Sequence, residues 1–158
     1  MVEKIVWFIG IVAVLALSRI IPHPPNFTPI IAVAIFAPII VKNHILVIAT
    51  TLLAMFVADL YWGLHSFMFW TYSSIALCTL IATRFHTMYM MLIGPVIFFV
   101  ITNFAVWTSG YYGFTLAGLV ACYIAAIPFF HMTLLSTILY TSAFYIIRQA
   151  SLRLLQYR

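Results

Sequence analysis

The chain has 158 residues, 66% of them hydrophobic, 17% aromatic and only 6% charged, with a mean hydropathy of +1.21; a soluble domain carries about a quarter charged residues, so this is the composition of an integral membrane protein. Seven Lys and Arg against two Asp and Glu give a net charge of +5, yet the basic residues stand singly, which excludes a nucleic-acid surface. No stretch is polar enough for a separate soluble domain, so residues 1–158 read as one transmembrane domain, and any nucleotide-driven step must come from a partner.

A bilayer core about 30 Å thick needs roughly 17 to 25 apolar residues per helix. The first run, Ile5 to Ile21, is read as a retained span and not a cleaved leader, although Ala16-Leu17-Ser18 resembles a cleavage site. It ends at Pro22-His23-Pro24-Pro25-Asn26, which cannot continue a helix. Thr28-Pro29 then reads as an N-cap with proline at the first helical position, opening a short helix to about Val41 that Pro38 kinks. The capping role also accounts for the sequon Asn26-Phe27-Thr28. Further runs extend from His44 to about Tyr61, from Phe67 to Thr83, and from Met88 to Trp107 with a bend at Gly94-Pro95. Ser109 to Gly113 forms a flexible loop. The last long run, His131 to Ile147, leads into a tail with Arg148, Arg153 and Arg158.

The apolar piece Phe114 to Pro128 is marginal for a crossing, and charge arbitrates. Lys4, Lys42, Arg84 and the C-terminal arginines belong on the cytoplasmic side by the positive-inside rule. Arg84 and Arg148 must then be separated by an even number of spans, which makes Phe114 to Pro128 a half-helix, re-entrant or lying at the surface and buried by protein. Its small residues, Ala117, Ala121, Ala125 and Gly118, Cys122, Ala126, recur at spacing four and allow close helix approach. The expected fold is an all-α polytopic bundle of six transmembrane helices plus this half-helix, with both termini cytoplasmic.

This layout gathers the unusual residues at the outer face: Arg19, His23 and Asn26 after the first helix, Asp59, Tyr61, Trp62 and His65 after the third, Asn103 and Trp107 at the end of the fifth. Tyr111 and Tyr112 follow in the loop, and His131 opens the last helix. An interfacial aromatic belt explains the Trp and Tyr taken singly. Arg19 breaks the positive-inside pattern, and Asp59 is the one acidic residue besides Glu3; ionisable groups at membrane depth pair with each other or serve a ligand. The substrate-binding candidates are therefore Arg19, His23, Asn26, Asp59, Trp62, His65, Asn103 and Trp107. They should line an outer cavity, with Asp59, Trp62, Asn103 and Trp107 in its wall. The half-helix, hinged at Gly110 and Gly113, should roof it as a lid.

His23, His44, His65, His86 and His131 show no metal or haem spacing, so no metal and no cofactor is expected. Cys78 and Cys122 lie in apolar runs and read as buried hydrophobes. With two carboxylates, no GxSxG elbow and no phosphate-binding glycine loop, the chain is not expected to be an enzyme.

The block from Arg19 to Pro29, together with Ala58-Asp59-Leu60, Gly63-Leu64-His65, Thr102 to Trp107, Thr115 to Leu119, Cys122-Tyr123 and Pro128-Phe129-Phe130, resembles a group of small bacterial membrane proteins of unknown function labelled as transport proteins. That group in turn resembles the S components of energy-coupling factor vitamin transporters. The resemblance implies a six-helix subunit of the bacterial inner membrane that captures a small water-soluble nutrient at the outer face and is driven by a transmembrane coupling subunit and two ATPases. Many S components dock through an Ala-xxx-Ala patch on helix 1. Here helix 1 offers Gly10, Ala13 and Ala16 at spacing three, and the nearest match is Ala54-xxx-Ala58 on helix 3. The alternative is a small accessory subunit packed into a larger membrane complex.

Overall fold

The computed structural model describes residues 2–156, with side chains for residues 8–154. The side chains of Glu3 and Lys4, and all of Arg158, lie outside the described residues. Among the described residues there are six helices and no strand: α1 (Val2–Ile20), α2 (Ile30–Ile40), α3 (His44–Trp62), α4 (Met68–Ala82), α5 (Thr87–Thr108) and α6 (Leu116–Gln156).

α3, α5 and the stretch Leu116–Leu154 of α6 are each long and apolar enough to cross a membrane; Phe8–Ile20, α2 and α4 are shorter apolar helices. Asn43 caps α3 by accepting from the Leu46 amide at 3.1 Å, and His86 caps α5 through Nδ1 from the Met88 amide at 3.3 Å. At the start of α2 the cap position falls to Pro29 with no side-chain bond, so the expected Thr28 cap is not used. Thr28 is instead buried, because the loop before α2 is folded into the bundle.

α2 is the central element. It is hydrophobic all round, as a helix surrounded by protein should be: Ile30, Ile31, Ala32, Ala34, Ile35 and Phe36 are all buried, and it packs against α3, α4, α5 and α6, while α1 packs on α3. An 11-residue helix is about 16 Å long, too short to cross a bilayer by itself. The core joins Val12 and Leu15 of α1 to Ile31 and Ile35, Ala54 and Met55, Ile75 and Cys78, and Met90. Most buried hydroxyls are satisfied, because Thr51, Ser74, Thr79, Ser136 and Thr137 each donate to a carbonyl three or four residues back in their own helix, while the Thr141 hydroxyl has no partner among the described residues.

The half-helix expected over Phe114 to Pro128 is not a separate element. α6 runs unbroken for 41 residues with Pro128 inside it, and His131, expected to open a helix, lies in its interior. Proline leaves one carbonyl without its helical donor, but in apolar surroundings neighbouring groups re-satisfy such carbonyls and the helix continues. Helices α5 and α6 form an antiparallel pair: Cys122 donates to the Asn103 carbonyl at 3.4 Å and Tyr123 to the Val100 carbonyl at 2.7 Å. The stripe Gly118, Cys122, Ala126 is buried, whereas Ala117, Ala121 and Ala125 are exposed. A Cβ on Gly118 would collide with the carbonyl oxygens of Tyr112 and Gly113, so glycine there lets the loop fold over the start of α6.

Ala54 and Ala58 are fully buried on the helix that packs against α1. Their spacing serves contacts inside the bundle, which removes them as an external docking patch.

Candidate functional site

The ends of α1, α3 and α5 and the start of α4 meet at one end of the bundle. Arg19 Nη2 donates to Asp59 Oδ1 at 3.2 Å, the Tyr72 hydroxyl donates to Oδ2 at 2.7 Å, and His65 Nε2 stands 3.8 Å from the same oxygen. Asp59 is only 2% exposed, so three groups converge on one buried carboxylate. Trp62 Nε1 donates to the Arg19 carbonyl at 3.1 Å. His23 lies within 3.3 Å of that carbonyl through Nε2 and 2.7 Å of the Pro24 carbonyl through Nδ1; a neutral imidazole can donate to one of them only. α1 therefore ends in a polar knot instead of open carbonyls.

Three neighbouring spaces lie beside this knot and share lining residues. A recess of about 360 Å³ is bounded by Arg19, Pro22, His23, Asn26, Thr28 and Trp62. A gap of about 20 Å³ behind it shares Arg19, Asn26 and Thr28 and adds Phe98 and Thr133. A half-open cavity of about 280 Å³ lies between the α1–α2 loop, α5 and α6 and shares Asn26, Phe98 and Thr133 with the gap. Asn26 borders all three spaces. It holds φ = 62° and is the one non-glycine residue with positive φ among those described; asparagine tolerates this left-handed conformation better than most residues.

The inner cavity has polar and aromatic walls. Asn26 faces it from the loop, Thr102 and Asn103 from α5, Tyr112 from the α5–α6 loop, and Cys122 and Thr133 from α6, with Phe98, Phe99, Phe129 and Phe130 filling the rest. Asn103 Nδ2 donates to the Phe99 carbonyl at 2.8 Å, which fixes the amide's orientation and leaves Oδ1 without a protein partner among the described residues. Thr102 and Thr133 donate to the Phe98 and Phe129 carbonyls at 2.8 and 2.9 Å, so their oxygens remain acceptors.

The eight sequence candidates divide accordingly. Asn26 and Asn103 meet across the inner cavity; Arg19, His23 and Trp62, with Asn26, bound the outer recess; Asp59 and His65 stand behind Arg19 in the ion cluster. Trp107 takes part in neither space. Its ring lies between Phe104 and Phe114 at 5.6 and 6.2 Å, and its Nε1 is buried without a partner among the described residues. Of the four residues expected to line one cavity, Asn103 alone does so. The segment after Trp107 contributes Tyr112 to the wall, and the first half of α6 forms a side of the cavity instead of a lid over it. The sequence-derived site omitted Thr102, Thr133 and the phenylalanines, and placed Tyr112 at the outer face without giving it a binding role. The neighbour of Asn103 and the Thr133, Thr137, Thr141 series at helical spacing were the signals available. Among the described residues, no three of His, Cys, Asp and Glu come together as metal ligands.

The family of unknown function DUF6580 matches residues 1–156 of the chain, and the chain belongs to that family. Neither the curated proteins nor the solved structures contain a match to it.

Proposed function

We propose that this chain is a solute-binding component of a membrane transport system, taking a small water-soluble molecule from the outer face of the bacterial inner membrane into the cavity between the α1–α2 loop, α5 and α6. The observation that carries this reading is the polar and aromatic lining of that cavity, with Asn26 bordering it and both of the neighbouring spaces. The Asn26 side chain and Asn103 Oδ1 border this cavity without a protein partner among the described residues, and a polar group left without a partner costs stability in apolar surroundings unless a ligand or water supplies one. A cavity of this size, apolar and aromatic with a few placed polar groups, is what small-molecule sites require.

The likeness to S components supports uptake as the purpose and a coupling subunit with ATPases as the partner. The burial of Ala54 and Ala58 argues that any such partner docks elsewhere than on an Ala-xxx-Ala patch of α3. On this reading both termini are cytoplasmic, and the Arg19–Asp59 end faces outward.

Mass spectrometry of small molecules that co-purify with the chain tests the proposal. A metabolite retained by the native protein and lost when Asn103 is replaced by leucine is the expected result. Recovery of the chain only as a stoichiometric subunit of a larger complex, with no bound molecule, would overturn it in favour of the accessory-subunit reading.

A further inference from the structure

Resting on that reading of the cavity as a solute site, we infer that its ligand is uncharged and flat, with an amide-like edge that both donates and accepts hydrogen bonds. No charged side chain borders the cavity among the described residues. Arg19 borders the neighbouring gap and recess but not the cavity, and it is paired with Asp59 at 3.2 Å, so the ion pair presents no net charge. A charged solute seated here would lose its hydration and find no counter-ion, which costs far more than desolvating a neutral amide.

The polar groups of the cavity specify the rest. Asn103 is held by its bond to the Phe99 carbonyl and offers Oδ1 to a ligand N–H. Asn26, with no side-chain partner among the described residues, offers both a carbonyl and an NH₂ from the facing wall. A carboxamide, lactam or imide edge matches that pair, whereas a carboxylate brings no donor for Oδ1 and a cation brings no acceptor for the Asn26 NH₂. Phe98, Phe99, Phe129 and Phe130 line the cavity, so a planar ring meets aromatic surface to pack against. The volume of about 280 Å³ suits a small ligand such as one ring bearing one amide.

Benzamide, benzoate and benzamidinium share one shape and differ in charge, so they test the inference directly on the full chain in lipid nanodiscs. Benzamide should stabilise the protein against thermal unfolding and bind about tenfold or more tighter than either ion. Asn103→Asp should transfer the preference to benzamidinium; if that variant does not fold, Asn26→Asp serves the same purpose. Equal binding of the three probes, binding of an ion in preference to benzamide, or no binding of any of them overturns the neutral-amide inference. The solute-binding reading stands or falls separately, on whether a metabolite co-purifies with the native chain: a retained charged metabolite would keep that reading and sink this one.

Discussion

Arg19 and Asp59 lie 40 positions apart in the chain and 3.2 Å apart in the fold, and their bond ties the end of α1 to the end of α3. The same carboxylate accepts from Tyr72 at 2.7 Å, which adds the first turns of α4 to the junction. One acidic side chain thus holds three helix ends where the outer recess begins. The mutual dependence is strong because Asp59 is nearly inaccessible to water, while the Arg19 side chain remains 25% exposed.

Removing one partner should therefore cost more than removing both. Asp59→Asn is expected to lower unfolding stability by about 3 kcal/mol, the lower end of the range for a broken buried pair, because partly exposed Arg19 can recover some hydration. Tyr72→Phe removes one bond to a charged group and should cost about 1.5 kcal/mol. In a double-mutant cycle, Arg19→Met combined with Asp59→Asn should lose less than the sum of the singles. Strict additivity in denaturant titrations would show that the 3.2 Å contact carries no coupling.

Among the glycines, Gly118 has the least room for a side chain. Because a Cβ there meets two carbonyl oxygens of the preceding loop, Gly118→Ala must displace the loop or the start of α6, and a cost of about 1–3 kcal/mol follows from overpacking. Gly94→Ala is the comparison: its Cβ meets methyl groups of Ile31 and Ile35 at 3.3 Å and Cys78 Sγ at 4.0 Å, side-chain atoms that can shift slightly. Thermal unfolding should rank the pair with Gly118→Ala clearly lower. The reverse order would mean that the α5–α6 loop does not rest on the helix below it.

The difference between these two glycines also illustrates what was legible in the sequence. Helix bounds were, because bilayer-length apolar runs end at strong punctuation: α3 was expected from His44 to about Tyr61 and runs His44–Trp62, and α4 was expected from Phe67 to Thr83 and runs Met68–Ala82. The Arg19–Asp59 contact was legible because two ions out of place in an apolar chain have few partners available. The continuity of α6 was not. Pro128 reads as a stop in water, and its tolerance depends on what surrounds it, which a linear pattern does not carry. The position of the cavity was also hidden, since it depends on the α1–α2 loop tucking in until Asn26 reaches the level of Phe98 and Thr133. A run of prolines announces a loop without saying how deep it sits.

The orientation proposed here has its own test. With Cys78 and Cys122 replaced, single cysteines at Lys42, Arg84 and Arg153 should react with a membrane-impermeant thiol reagent only from the cytoplasmic side, and a cysteine at the exposed Tyr111 only from outside. Lys42 follows α2, Arg84 follows α4 and Arg153 lies near the end of α6, so the three should share one side if successive helices alternate in direction. Labelling of positions 42 and 153 from opposite sides would break the alternation, and labelling of all three from outside would invert the molecule.

Asn26 allows backbone and ligand roles to be separated at a single position. Its φ of 62° is a conformation that costs an ordinary side chain about 1–2 kcal/mol, and glycine nothing. Asn26→Gly should therefore leave the loop in place, with unfolding stability unchanged or slightly raised, while deleting the carboxamide that faces the cavity. Asn26→Ala deletes the same carboxamide but also forces alanine into the left-handed region, so it should be less stable than Asn26→Gly by about 1 kcal/mol. If Asn26 contacts the solute, both variants should bind the co-purifying metabolite or benzamide about tenfold more weakly, the loss expected when a buried ligand group is left without its partner, and the two losses should be alike despite the difference in stability. If binding instead follows stability, weak for alanine and intact for glycine, then Asn26 shapes the loop alone and recognition rests on Asn103 and the wall behind it.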